Sequence, residues 1–337
     1  MTSRTLAAIA YLLCLTTVAA AAEPYEPPRT ADGKPLLDGV WTNASLTQLT
    51  RPRGNDQLVL TPAEAEALAA RHFHNVRAAA DLEPSDPNRE AKPVDRLPPV
   101  GNYNAFWVDP GTEYAVVEDE IRTSWIVEPE DGQVPLLAQA SDRRSQRRAL
   151  REGMDGPEVL SSGERCLLGF GGTAGPPMLN VLYNGYYRIL QTDSHVMILV
   201  EMVHDARIIR LGSEHGPAAD RRWLGDSIGR WEGDTLVVET THFHPSRAHE
   251  GALSYSSSAQ VVERIRRVSD DALLYEFEIV DPLTYSRPIR GQMAFRAVDG
   301  KVYEYACHEG NYAMGGMLRG ARLEEGDAAA DQVGFNR

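Results

Sequence analysis

The sequence predicts a mostly β protein: an antiparallel meander that closes into a lipocalin-like barrel or half-barrel, with two short helices in its N-terminal half. Residues 273–280 alternate apolar and acidic side chains, the pattern of a strand with one buried face. Similar short segments follow one another and are joined by turn residues such as Gly233-Asp234. Gly39-Val40-Trp41 is predicted to open the first strand and resembles the start of lipocalin-like barrels, although an aromatic residue that closes a barrel end would give the same pattern.

The first helix is predicted to begin at Thr61, because Thr61-Pro62-Ala63-Glu64 combines an N-cap, a proline at the first helical position and a capping-box glutamate. It should run to about Ala80. The arginine-rich residues 141–153 predict a second helix with a solvated face. The predicted strands lie at 103–109, 121–128, 187–191, 230–232, 235–243, 260–268, 273–280, 289–298 and 301–307.

The N-terminus has the three parts of a secretory signal peptide. Arg4 precedes the apolar run 6–15, and the small residues 19–22 offer a cleavage site. No later run reaches the roughly 18 apolar residues of a membrane helix. We therefore expect a periplasmic or secreted protein without a membrane anchor.

The mature chain is expected to form one domain, since neither a repeat nor a linker interrupts it after Arg122. A net charge of −14 without a lysine cluster disfavours nucleic acid as a partner, so the expected partner is a small organic molecule. No oligomeric state is predicted. The expected organisation is a signal peptide at 1–22, an extended lead-in at 23–35, a single β domain at 36–325 and an acidic, flexible tail at 326–337.

Residues 196–211 predict a central strand that carries ionisable groups in its middle. With a two-residue period, His204 falls on an apolar face, while Asp205 and Arg207 fall on the other. Burial would lower the pKa of His204 and make it a neutral base near pH 7. The alternative is a core histidine beside a partly buried Asp205–Arg207 ion pair.

Loss of the signal peptide leaves two cysteines, Cys166 and Cys307. Export places them in a compartment that permits disulfides, and neither has another partner. We therefore expect a bridge between them, with two free buried thiols as the alternative.

Five segments of the chain resemble a family of secreted bacterial hypothetical proteins of unknown function, and the resemblance spans about residues 35–325. It implies no activity. Where family sequences more often carry Asn, this chain has His242. The matching segments are 122–132 (RTSWIVEPEDG), 165–166 (RC), 201–209 (EMVHDARII), 225–238 (GDSIGRWEGDTLVV) and 303–312 (YEYACHEGNY).

The function expected from these residues is cofactor-independent acid–base chemistry by an exported lyase, isomerase or hydrolase on a small aromatic or apolar substrate. The candidate catalytic residues are His204, Asp205, His308, Glu309 and Glu201. Arg207 and Arg165 are candidates for holding an anionic group. The remaining candidate substrate-binding residues are Tyr183, Asn184, Asn311, Tyr312 and Trp41. A non-catalytic carrier of small ligands is the first alternative.

A metallohydrolase is the second alternative, because His242 and His244 occupy alternate strand positions on one face and could bind zinc with His204 or His249 as the third ligand. A His-x-His pair alone is short and common, so we expect no metal and no cofactor. The glycine-rich residues 169–175 lack the Gly-Lys-Ser/Thr ending of a phosphate loop, and they predict a flexible loop beside a pocket.

Overall fold

Nine strands close into a barrel in the computed structural model, which describes residues 25–82, 88, 105–249 and 251–332. The predicted signal peptide lies outside the described residues. In chain order the strands are β1 (Gly39–Thr42), β2 (Val59–Leu60), β3 (Val116–Val117), β4 (Glu120–Arg122), β5 (Ile126–Glu128), β6 (Tyr186–Gln191), β7 (His195–Val200), β8 (Ala206–Leu211), β9 (Asp226–Glu232), β10 (Thr235–Thr241), β11 (Gln260–Arg267), β12 (Ala272–Val280) and β13 (Ile289–Ala297).

The barrel runs in the order β1-β6-β7-β8-β9-β10-β11-β12-β13 and closes where β13 pairs with β1. This confirms the predicted barrel. Neighbouring barrel strands are antiparallel except β8 and β9, which are parallel. A parallel pair needs a crossover, so residues 212–225 cross from the end of β8 back to the start of β9. Strand β5 adds to the edge of β13, and β2, β4 and β3 form a small separate sheet.

Four helices lie in the described part of the chain: α1 (Pro62–Arg71), α2 (Phe73–Asp81), α3 (Ala138–Gly153) and α4 (Tyr312–Gln332). The Thr61 capping box is confirmed, but the predicted single helix divides at His72, whose side chain caps α2. Helix α4 extends to Gln332, into the residues 326–337 for which the sequence predicts an acidic, flexible tail. Among the described helices, none has the length and hydropathy needed to cross a bilayer.

The barrel interior is a packed core, because alternate residues of each strand point inward. In β12 the inward residues Tyr275 and Phe277 are buried, while Glu276 between them is partly exposed, as the alternation predicts. The Phe295 ring meets the rings of Tyr187 and Tyr275 edge-on, with centroids 5.1 and 5.5 Å apart.

Several predicted strands differ in the structure. Residues 105–107 form a 3-10 turn, and 121–128 divides into β4 and β5. Residues 301–306 form no strand and run irregularly to a turn at Cys307. The predicted strand 196–211 is a hairpin, since a 3-10 turn at Met202–His204 separates β7 from β8. Val203 and His204 both have positive φ there, which no continuous strand allows.

Candidate functional site

A cavity of about 140 Å³ lies at one end of the barrel, between the loop 161–179 and the loop 247–255. The first loop is anchored on the core: the Met178 backbone N–H donates to the Tyr275 hydroxyl at 3.0 Å, and the Tyr187 hydroxyl donates to the Leu179 carbonyl at 3.3 Å. The cavity walls include Gly169, Phe170, Leu179, Arg247, Leu253 and Tyr255. The predicted loop beside a pocket at 169–175 therefore contributes part of these walls.

Arg247 places a positive charge in this cavity. Its residue surface is only 7 % exposed, and its guanidinium lies 5.2 Å from the centre of the Tyr255 ring. Within the described residues no carboxylate pairs with Arg247, and its buried Nε has no hydrogen-bond partner. A buried charge is normally paired with an opposite charge, so we expect this guanidinium to bind an anion from solution.

Asp205 lies directly behind the cavity wall, where its Oδ2 accepts a hydrogen bond from the Gly169 backbone N–H at 2.7 Å. Burial raises the pKa of Asp205 to about 6, against the lowering effects of the Gly169 amide and of the charges of His204 and Arg247. Its other oxygen, Oδ1, carries no hydrogen bond from the described residues. Asp205 is thus a carboxyl group that can exchange a proton near neutral pH.

Helix α3 fixes both loops through one face of arginines. Arg144 donates to the Ala252 carbonyl at 3.2 Å and to the Ser254 hydroxyl at 2.9 Å. Arg147 donates to the Leu160 carbonyl at 3.2 Å, and Arg151 forms a two-point ion pair with Glu164. These arginines share a face because they are spaced three and four residues apart. Most of α3 is exposed, as predicted, and these arginines in addition hold the two loops that form the cavity walls.

The predicted disulfide is confirmed: Cys166 and Cys307 are bonded, with Cα atoms 5.7 Å apart. It ties the C-terminal segment to the loop 161–179. Asn311 strengthens this attachment, because its side-chain amide donates to the Glu164 carbonyl at 2.8 Å. His308 and Glu309 follow the bridge and are exposed, as is Tyr312 at the start of α4.

The expected surroundings of His204 are not present. Its side chain is exposed, because the 3-10 turn rotates it away from the apolar face of β7. Glu201 is buried, but its carboxylate accepts hydrogen bonds from the Asn184 side chain at 2.6 Å and the Tyr303 backbone N–H at 3.0 Å. Glu201 and Asn184 therefore hold the C-terminal segment against the hairpin.

Arg207 does bind a carboxylate, but an internal one. Its guanidinium makes two hydrogen bonds to Glu263, at 2.6 and 2.8 Å, and Glu263 also accepts from the Tyr275 hydroxyl at 2.6 Å. All three residues are buried inside the barrel. This pair replaces the alternative Asp205–Arg207 pair. Arg207 binds Glu263 inside the barrel, whereas Asp205 precedes β8 and accepts from the Gly169 backbone N–H.

Three other predicted ligand-binding residues lie away from the cavity. Trp41 is buried in the core, where its indole N–H donates to the Leu37 carbonyl at 3.0 Å. Tyr183 lines a separate groove beside Trp107. Arg165 is partly exposed and is not part of the cavity wall, although it neighbours the disulfide.

His242 and His244 do not converge with each other. The His244 ring stacks on Trp223 at 4.2 Å, whereas His242 meets His215, with ring centroids 5.6 Å apart. One possible ligand atom from each of His215, Asp226 and His242 lies within 4.8 Å of the others. The structure thus places His215 and Asp226 beside His242, while the side chain of His249 lies outside the described part of the chain.

Sequence reasoning missed Arg247 and Glu263. Glu263 has a visible signal, because it occupies the same face of β11 as the apolar Val261 and Ile265. Arg247 lies in a short 3-10 segment without a periodic pattern, so nothing local marks it as buried. No protein-family model and no curated protein matches this sequence.

Proposed function

We propose that the chain is an exported enzyme that binds a small organic anion in the loop cavity and moves a proton with Asp205, without a cofactor. The observation that carries this proposal is a buried guanidinium in the cavity wall, which has no carboxylate partner among the described residues and lies near a carboxyl group whose pKa burial raises to about 6. Arg247 replaces Arg165 and Arg207 as the anion-binding residue.

The chemistry of the cavity favours a small carboxylate with an aromatic or apolar body. A guanidinium binds a carboxylate through two parallel hydrogen bonds, and such pairs strengthen when water is excluded. Phe170, Leu179 and Leu253 supply apolar walls. A volume of about 140 Å³ is similar to that of a cavity that takes up benzene.

Asp205 supplies the acid–base group of the proposed reaction. Above about pH 6 its carboxylate is ionised and can accept a proton from the bound substrate, and below that pH the acid can return one. Arg247 holds the substrate in the cavity beside Gly169, and the proposed step requires Asp205 Oδ1 to come within hydrogen-bond distance of the reacting atom. Lyase, isomerase and hydrolase reactions can all proceed from such a proton transfer.

Export rests on two features of the chain. The sequence begins with a signal-peptide pattern, and the mature part contains a disulfide. Disulfides persist in the periplasm and outside the cell, whereas cytosolic thiols are kept reduced. We therefore place the protein in the periplasm or outside the cell.

Titration with benzoate, acetate and benzylamine tests the binding site. Isothermal calorimetry should show that the wild type binds benzoate more tightly than acetate and does not bind the cationic benzylamine. Arg247→Met should lose benzoate binding, because it keeps an unbranched side chain but removes the charge. The matched control is Arg165→Met, which should bind normally; loss of binding in this control alone would contradict the proposal.

Proton transfer distinguishes an enzyme from the alternative, a carrier. A panel of carboxylic acids with an acidic C–H is incubated with the protein in D2O, and deuterium incorporation is followed by NMR. We expect exchange for at least one acid with the wild type and none with Asp205→Asn. Binding of several acids without exchange of any of them would identify a carrier.

A further inference from the structure

We propose that His215, His242 and Glu239 bind one zinc ion on the outer face of the barrel, at a site separate from the loop cavity. Glu239 points outward because its neighbours on β10, Val238 and Thr240, are fully buried on the inner face. The proposal revises the expectation, drawn from the sequence, that no metal is bound.

The parallel pairing of β8 and β9 brings these residues together. His215 belongs to the crossover 212–225, and its ring lies beside Asp226, the first residue of β9. Asp226 lies opposite Thr241 in the β9–β10 ladder, so His242 follows at the same end of the sheet. The Arg222 backbone N–H donates to the His242 carbonyl at 3.0 Å and fixes this end of β10 to the crossover.

Asp226 orients His215 and is not itself free for a metal. Its carboxylate accepts from Arg210 at 2.8 and 3.1 Å, from Arg222 at 3.3 Å and from the Gly216 backbone N–H at 3.0 Å. The His215 Nδ1 lies 3.0 Å from Asp226 Oδ2.

An imidazole that donates its Nδ1–H to a carboxylate presents a lone pair at Nε2, the arrangement found behind zinc-binding histidines. The Nε2 of His215 is buried and has no hydrogen-bond partner among the described residues. It lies 3.5 Å from Glu239 Oε1, which also accepts one hydrogen bond, from the Gln260 side-chain amide at 2.8 Å. Two ligands of a tetrahedral zinc at 2.0–2.2 Å are roughly 3.3–3.6 Å apart, so this distance suits a shared ion.

His242 supplies the third proposed ligand, since one of its ring nitrogens lies within 4.8 Å of a possible ligand atom of His215 and of Asp226. Its Nδ1 is also buried without a hydrogen-bond partner in the described part of the chain. Its ring centroid is 5.6 Å from that of His215, and two imidazoles on one tetrahedral ion lie roughly 5 Å apart. His242 also has a positive φ of 55°, a left-handed conformation that is uncommon for residues other than glycine.

Two imidazoles and one carboxylate are the ligand set of many zinc sites that keep a fourth position for water. Imidazole nitrogen disfavours Mg²⁺ and Ca²⁺, which select oxygen ligands. Arg210 and Arg222 are both paired with Asp226, so Glu239 remains the carboxylate that offsets the charge of the ion.

Zinc uptake by the full-length protein tests this site. Chelator-treated protein is titrated with zinc chloride against a chromophoric zinc indicator, and bound metal is counted after desalting. We expect one zinc per chain in the wild type and none in His215→Ala or His242→Ala. His244→Ala is the matched control, because His244 stacks on Trp223 and should leave zinc binding unchanged.

Glu239→Gln tests the site even if a histidine variant fails to fold, because Glu239 is partly exposed and its replacement should keep the fold. We expect it to weaken zinc binding roughly tenfold or more while the circular dichroism spectrum is kept. Co²⁺ should give the visible bands of a tetrahedral site in the wild type and not in Glu239→Gln. Absence of zinc binding by the wild type, or equal losses in His244→Ala and His242→Ala, would overturn the proposal.

Discussion

Replacing Asp205 with Asn should stabilise the protein above neutral pH and remove a pH dependence of its stability. Burial raises the pKa of Asp205 from 3.8 to about 6. The folded protein therefore binds more protons than the unfolded chain between these two values. Because of this difference, the free energy of unfolding falls as pH rises through the window and is constant above it.

The magnitude follows from the size of the shift. A shift of about two pKa units, at 1.36 kcal/mol per unit, corresponds to a loss of at most about 3 kcal/mol. Asn resembles the protonated acid, and its side-chain oxygen can still accept the hydrogen bond from the Gly169 amide. The variant should thus match the wild type at about pH 4 and exceed its stability at about pH 7.5 by up to about 3 kcal/mol.

Urea unfolding measured at intervals between these pH values provides the assay. The difference in unfolding free energy between Asp205→Asn and the wild type should grow as pH rises and then level off. The control is Asp193→Asn in the exposed β6–β7 turn, which removes the same charge far from Gly169. A constant difference, or a variant that is less stable than the wild type at high pH, would refute the proposed environment of Asp205.

Three further outcomes follow from the structure. Arg207→Met should lower the unfolding free energy by about 3–5 kcal/mol by leaving Glu263 buried and unpaired, and Arg207→Met/Glu263→Leu should lose less in the same urea titration. Mass spectrometry of unreduced peptides should detect the disulfide. Its reduction should lower the free energy of unfolding by about 5 kcal/mol in the chain-entropy model, which is measured as a lower urea midpoint. His204→Gln should leave the thermal midpoint nearly unchanged because the side chain is exposed; it should move the pH midpoint of Asp205 upward, as 13C NMR can show.

Local patterns predicted much of the barrel correctly. The alternation in β12, the turn at Gly233-Asp234 and the capping box at Thr61 depend on neighbouring residues alone, and each appears in the structure. The disulfide followed from counting cysteines in an exported chain. These features could be predicted because the physical cause lies within a few residues or in a simple count.

The site could not be predicted in the same way. The sequence predicts a single strand at residues 196–211 because neither Gly nor Pro marks the turn at Val203. Arg247 becomes significant only when two distant loops close around it. Likewise, His215 and His242 meet only because β8 and β9 are parallel, and no short pattern in the sequence predicts this pairing.

Proton uptake on anion binding tests most directly whether Arg247 and Asp205 act as one site. A carboxylate bound by Arg247 should raise the pKa of nearby Asp205, so benzoate binding near pH 6 should take up protons. Calorimetry in two buffers of different ionisation enthalpy measures this uptake. We predict proton uptake in the wild type, binding without uptake in Asp205→Asn, and no binding in Arg247→Met. Benzoate binding that is independent of both residues would contradict the proposed site.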